Sequence, residues 1–97
     1  MRIYIAGRIN GDEHFKTKFL AQQYALETHG HSVMNPATLP NGFDYEDYMK
    51  VCFAMIDVCD AVCLLPCWEQ SPGAKRERQY AFENNKVVLY AERRQLP

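Results

Sequence analysis

Residues 61–77, AVCLLPCWEQSPGAKRE, place an apolar strand just before a helix start, and this combination decides the fold. The run from Ala61 to Leu65 is typical of a buried strand. Ser71 is a good helix N-cap, and Pro72 suits the first helical position. The free N–H groups at such a helix start attract anions such as phosphate. Open α/β sheets bind ligands where strands end and helices begin, so we expect a site at this junction.

Within the helix that follows, Glu77 lies three residues after Ala74 and four before Ala81. This spacing puts the carboxylate on the stripe that faces the sheet, and Gly73, one turn earlier, leaves space above it. A carboxylate in a partly dry crevice that favours anions can act as a nucleophile or general base toward a phosphorylated small molecule. The alternative is an ordinary solvated Glu, because basic residues flank it in the sequence.

The rest of the chain alternates apolar strands with helical periodicity. We predict strands over 2–6, 32–34, 61–65 and 86–90, and helices over 13–29, 44–59 and 71–83. The prolines and glycine of residues 35–42 exclude regular structure there. From Ala91 the sequence predicts a loose polar tail. The order β-α-β-α-β-α-β predicts one α/β domain over residues 1–97. We expect a small, doubly wound parallel sheet of about four strands, flavodoxin- or Rossmann-like, with helices on both faces.

Ligands of such sheets lie at the carboxyl ends of the strands, which brings several loops into one crevice. Trp68, with Phe43 and Tyr45 nearby, either stacks on a nucleobase there or plugs the edge of the core. Arg8 is either a phosphate ligand or a plain surface residue. The candidate substrate-binding residues are Gly7, Arg8, Ile9, Asn10, Asn35, Pro36, Trp68, Ser71, Gly73 and Ala74.

Composition argues against several classes of partner. Eleven basic and twelve acidic residues give a net charge of −1, which disfavours a dedicated binder of nucleic-acid polymers. The first apolar run is too short for a signal sequence and no stretch approaches a membrane span, so we expect a cytoplasmic protein that does not bind membranes. No GxGxxG or Walker motif is present, and we expect no cofactor.

The four cysteines are Cys52, Cys59, Cys63 and Cys67. They include no CxxC pair, and no histidine lies at a zinc-site spacing from them. We therefore expect buried free thiols and no metal site.

The helix predicted from Asp44 carries the broadest apolar face in the chain. Val51 and Val58 widen that face, so that one part can pack on the sheet and another on a partner subunit. The alternative is that all of it belongs to the internal core. We expect a homodimer or higher homo-oligomer.

Several short motifs form a set when they are taken together. They are Tyr4-Ile5-Ala6-Gly7, Asn35-Pro36, Tyr48-Met49, Cys59-Asp60, Leu64-Leu65-Pro66-Cys67-Trp68 and Ser71-Pro72-Gly73-Ala74-Lys75-Arg76-Glu77. In this order, and over roughly residues 1 to 90, the chain resembles the domain of unknown function 4406 family. That family is common in phages and bacteria and is related to nucleoside 2-deoxyribosyltransferases.

The resemblance implies chemistry at the bond between a nucleobase and 2-deoxyribose. The relatives' nucleophile matches Glu77, which would attack the sugar C1′ to form a covalent ester that water or a second base resolves. Tyr4 would orient that carboxylate. In the branch that hydrolyses deoxynucleoside 5′-monophosphates, the Ser matching Ser71 contacts phosphate. The segment Gly7-Arg8-Ile9-Asn10-Gly11 is similar to that branch's first loop, with Arg8 in place of a Ser.

Two positions depart from the family pattern. Cys52 stands where relatives usually carry an Asp that assists protonation or holds the sugar, and Cys67 replaces the usual Gly before the loop Trp. One hypothesis is an N-glycosidase or deoxyribosyltransferase that acts on a deoxynucleoside or its 5′-monophosphate through Glu77. The alternative is a non-catalytic nucleotide-binding protein that sequesters or senses a nucleotide. A purely structural protein would show no stabilisation by nucleotides.

Overall fold

A computed structural model describes residues 1–91 of the chain. The strands are β1 (Arg2–Ala6), β2 (Ser32–Met34), β3 (Ala61–Leu64) and β4 (Val87–Tyr90), and the helices are α1 (Phe15–Thr28), α2 (Tyr45–Asp57) and α3 (Pro72–Glu83). The strands form one parallel sheet in the order β2-β1-β3-β4. This confirms the predicted α/β fold with a parallel sheet. The predicted polar tail lies outside the described residues, except for Ala91.

Alternation along β1 and β3 divides the core between the two faces of the sheet. Tyr4 and Ala6 pack with residues of α2 and α3, including Ile56 and Ala81. Ile5 lies on the opposite face, where it packs with Phe19 of α1. Helices therefore cover both faces of the sheet, as the doubly wound prediction requires.

Several predicted boundaries differ from the structure by one or two residues. The first helix begins at Phe15 rather than at residue 13, because Asp12 does not cap it: its carboxylate accepts from the His14 amide and pairs with Lys18 at 2.7 Å. The second helix ends at Asp57, two residues before Cys59, and the third strand ends at Leu64.

The prediction that residues 35–42 exclude regular structure is wrong over one turn. Pro36–Thr38 forms a 3-10 helix, which is a compact turn that tolerates a proline at its start. The Asn35 side-chain oxygen accepts a hydrogen bond from the Ala37 amide at 2.9 Å, and this bond caps the turn. Trp68–Gln70 forms a second such turn before α3.

All four cysteines are free thiols, but only Cys52, Cys59 and Cys63 are buried as predicted, because Cys67 is half-buried in the loop after β3. Cys59 packs on the α2 and α3 side of the sheet, whereas Cys63 lies with Ile3 on the other side. Within residues 1–91, no three His, Cys, Asp or Glu side chains come together in a way that could hold a metal ion. None of the helices described is both long and apolar enough to cross a membrane.

Candidate active site

The cleft lies where the strand order reverses direction. The chain runs from β1 outward to β2 and then returns to β3 on the other side of β1, so β1 leads to α1 on one face of the sheet and β3 leads to α3 on the other. Parallel sheets open a crevice at such a point. Here the crevice has a volume of about 370 Å³, and the loops after β1 and β3 and the first turn of α3 line it together with parts of α1 and α2.

Glu77 forms the floor of this cleft. Its side chain is only 5% exposed, and Tyr4 below it is fully buried. The Tyr4 hydroxyl donates a hydrogen bond to Oε2 of the Glu77 carboxyl. Since Ala74 and Ala81 are buried on the same stripe of α3, the helical spacing predicted the inward direction of Glu77 correctly.

Burial dominates the electrostatics of this carboxyl. It raises the pKa of Glu77 to about 7, while hydrogen bonds from Tyr4 and Cys52 and the charge of Arg76 act in the opposite direction. Burial also raises the pKa of Cys52 to about 12, so its thiol stays protonated at neutral pH. The Glu77 carboxyl therefore has both its protonated and its ionised form populated near neutrality, beside two neutral hydrogen-bond donors.

The start of α3 has the geometry that its sequence predicts. The Ser71 hydroxyl accepts from the Ala74 amide at 3.1 Å, and Pro72 occupies the first helical position. A Cβ atom added at Gly73 would lie 3.6 Å from the Tyr45 hydroxyl, an ordinary contact distance. The first turn of α3 is thus held close to α2 with its amino end at the cleft.

The loop after β1 is pinned to the loop after β3. Gly7 lies so close to Leu65 that a Cβ atom added to it would come within 2.9 Å of Leu65 Cδ1. The Arg8 amide donates to Cys67 Sγ at 3.4 Å, and the Arg8 guanidinium donates to Gln70 Oε1 at 3.2 Å. These contacts hold Arg8 at the mouth of the cleft.

The sequence of this chain matches a known family, and its fold matches solved structures. The sequence model of the family described as "Domain of unknown function (DUF4406)" matches residues 1–90. The chain belongs to the DUF4406 family. Among solved structures, it is similar to a 2-desoxiribosyltransferase from Leishmania mexicana, with a TM-score of 0.74 and 20% identity over 99% of this chain and 67% of that one. At this identity the likeness shows the fold. No match is found among curated proteins.

In this DUF4406 protein, most of the predicted substrate-binding residues line one cleft. Gly7, Arg8, Ile9 and Asn10 line it from the first loop, and Pro36 lines it from the loop after β2. Ser71, Gly73 and Ala74 contribute the first turn of α3, beside Glu77 and Tyr4 on the floor.

Trp68 and Asn35 lie elsewhere, which corrects their expected position in the crevice. The 3-10 turn directs the Trp68 ring toward β4, where the Arg78 guanidinium lies 4.8 Å from its centroid and the Tyr90 ring 6.1 Å away. The Asn35 amide donates to Gln23 Oε1 at 3.0 Å, and the residue is 8% exposed. Trp68 thus covers an edge of the core, and Asn35 caps the turn after β2. Of the other aromatic residues expected nearby, Tyr45 lines the cleft.

Sequence reasoning missed the walls that the helices supply. Phe15, Lys16 and Phe19 line the cleft from α1, and Met49 lines it from α2 beside Tyr45 and Cys52, which the sequence had indicated. These residues follow helical spacing, which indicates a face that packs inward but does not separate the core from a pocket wall. Cys52 belongs to the core and to the wall of the cleft, since it is only 7% exposed and also contacts Glu77.

Proposed function

We propose that this protein is an N-glycosidase or deoxyribosyltransferase that acts on the base–sugar bond of a deoxynucleoside or its 5′-monophosphate. The observation that carries the proposal is the Glu77 carboxyl at the floor of the cleft, buried and hydrogen-bonded by Tyr4. The family match and the deoxyribosyltransferase of the same fold support the choice of substrate class.

In the proposed reaction, the ionised Glu77 carboxylate attacks C1′ of the sugar. The C1′–N bond breaks, its electron pair leaves with the base, and an ester joins C1′ to the carboxylate oxygen. Water then attacks C1′ and breaks the ester C1′–O bond, which regenerates the Glu77 carboxylate. The OH of the water stays on the sugar, and its other proton goes to the released base. A second base in place of water gives transfer instead of hydrolysis. The Tyr4 hydroxyl positions the carboxylate and stabilises its ionised form, since it donates to Oε2.

The non-catalytic alternative is favoured by one specific observation. Among residues 1–91, Glu77 is the only carboxylate that lines the cleft. Glycosidases of the common type use a second carboxyl group as an acid toward the leaving group. The neighbouring Cys52 thiol, with a pKa raised to about 12, is a weak acid in comparison. On this reading, the cleft binds a nucleotide without cleaving it.

Release of free base separates the two functions. Purified protein and its Glu77→Gln variant are incubated with the four common deoxynucleosides and their 5′-monophosphates, and free bases are separated by chromatography. An enzyme releases base from at least one compound and loses at least about a thousandfold in rate in the variant, because the amide cannot attack C1′. Binding of a compound without release from any of the eight would assign the cleft to the nucleotide binder.

A further inference from the structure

The cleft carries an excess of positive charge. Among the described residues that line it, Arg8 and Lys16 are the cations, and Glu77 is the carboxylate. Arg8 projects from the loop after β1, and Lys16 lies in the first turn of α1. The two cations therefore come from successive segments of the chain, whereas Glu77 comes from α3 and lies on the floor of the cleft.

Neither cation is neutralised by a carboxylate. The guanidinium of Arg8 donates to two neutral oxygens, the Asn10 carbonyl at 3.1 Å and Gln70 Oε1 at 3.2 Å. Lys16 makes no ion pair within residues 1–91, and its ammonium lies 6.0 Å from the centroid of the Phe15 ring.

The acidic residues nearest in sequence do not change this balance. Asp12 and Glu13 lie between the two cations along the chain, but the Asp12 carboxylate is paired with Lys18 at 2.7 Å, and Glu13 forms no ion pair within residues 1–91 and does not line the cleft. Arg76, on the exposed surface beyond the cleft, is paired with Glu46 at 2.9 Å. The charges left unpaired at the opening are thus available to an anionic ligand.

The first turn of α3 adds to this preference. Ser71, Pro72 and Gly73 line the cleft, so the amino end of the helix dipole faces the same space as Arg8. A phosphate at this position would meet the guanidinium, the ammonium and the helix terminus together.

We propose that Lys16 and Arg8 make this cleft specific for a phosphorylated substrate, a deoxynucleoside 5′-monophosphate in preference to the deoxynucleoside. The inference rests on the proposed function, from which it takes the nucleoside as ligand. Lys16 is the specificity-determining residue that neither the sequence pattern nor the family resemblance indicated. The phosphate lies at the opening between the two cations, and the sugar extends toward Glu77.

Binding measurements in the Glu77→Gln background test this preference without turnover. Calorimetry gives the affinities of each deoxynucleoside, its 5′-monophosphate and inorganic phosphate for this protein and for the same protein carrying Lys16→Gln. We expect the monophosphate to bind at least about tenfold more tightly than its nucleoside, because charged hydrogen bonds are stronger than neutral ones. Lys16→Gln should reduce that ratio about tenfold, and Lys16→Arg should restore most of it.

The matched control is Lys75→Gln, which removes a lysine from α3 that does not line the cleft. It should leave the affinity ratio unchanged. Added salt should reduce the ratio, because ions screen the exposed charges. Inorganic phosphate should compete with the monophosphate but not with the nucleoside.

Equal affinities for nucleoside and monophosphate would overturn the inference, as would a ratio that Lys16→Gln leaves unchanged. Base release by the unmodified protein, followed in parallel, distinguishes the two proposals. Release with no preference for the monophosphate contradicts the inference alone. A preference that depends on Lys16, without any release, supports the inference and contradicts the proposed enzyme. An absence of binding by every compound contradicts both.

Discussion

At the residue scale, the buried pair of Tyr4 and Glu77 sets the proton affinity of the site. Burial disfavours the ionised carboxylate, and the Tyr4 hydroxyl partly offsets that effect by donating to it. Tyr4→Phe removes this donor from a fully buried position. We expect the pKa of Glu77 to rise from about 7 by about one unit, because one hydrogen bond to the ionised carboxylate is lost.

The titration is followed by NMR on carboxyl-labelled glutamate, with Glu77→Gln identifying the resonance. Where base release is detected, the acidic limb of its pH–rate profile should shift by the same amount, so the loss of rate is greater at pH 6 than at pH 9. Tyr80→Phe is the matched control, since the Tyr80 hydroxyl donates to the exposed Asp57 at 2.6 Å, away from the cleft. An unchanged Glu77 midpoint in Tyr4→Phe would show that the hydroxyl does not stabilise the carboxylate.

At the element scale, the amino end of α3 depends on the Ser71 cap. The Ser71 hydroxyl satisfies the Ala74 amide, which has no carbonyl partner within the helix. Ser71→Ala should lower the free energy of unfolding by about 1 kcal/mol. Ser71→Asn should lower it much less, because Asn also caps well. Urea denaturation measures both, with Ser32→Ala on β2 as the control. A loss in Ser71→Asn as large as that in Ser71→Ala would mean that the cap is not the cause.

The junction of β1 with the loop after β3 has no room for a side chain at Gly7. An added Cβ atom would lie 3.0 Å from Leu65 Cβ and 2.9 Å from its Cδ1, and Leu65 is itself buried. Gly7→Ala should therefore destabilise the fold by about 1 to 3 kcal/mol. Combining it with Leu65→Ala should cost less than the sum of the single changes, because the second change removes Cδ1 and Cγ and leaves only the 3.0 Å contact with Cβ. Additive effects in that double-mutant cycle would contradict the proposed contact.

Local signals explain which elements the sequence could predict. The four strands are short apolar runs, and Ser71 with Pro72 marks the start of α3 wherever the chain goes next. The direction of Trp68 was not predictable, since it depends on a 3-10 turn and on contacts with Arg78 and β4 that form only in the folded chain. Helical spacing likewise placed Cys52 on an inward face without showing that this face also borders a cleft.

At the scale of the whole molecule, Glu77 links stability to pH. Its pKa is about 7 in the folded protein against 4.5 for an unperturbed Glu, so between these values the folded state binds more protons than the unfolded one. The contribution of this group to stability is fully present below about pH 4.5, falls as pH rises, and levels off once the folded carboxyl has ionised. The loss amounts to about 3 kcal/mol.

Glu77→Gln cannot ionise, so it isolates this contribution from the other titrating groups. We compare the free energy of unfolding of the unmodified protein with that of Glu77→Gln. The value for the unmodified protein minus the value for the variant should decrease by about 3 kcal/mol in total as the pH rises from about 5 to 8. Urea denaturation at a series of pH values measures it. Glu83→Gln, at the exposed end of α3, should give a flat difference over the same range. A flat difference for Glu77→Gln as well would show that the carboxyl ionises in the folded protein as easily as in the unfolded chain. The buried carboxyl would then be almost fully ionised at neutral pH, which is the form that attacks C1′ in the proposed reaction.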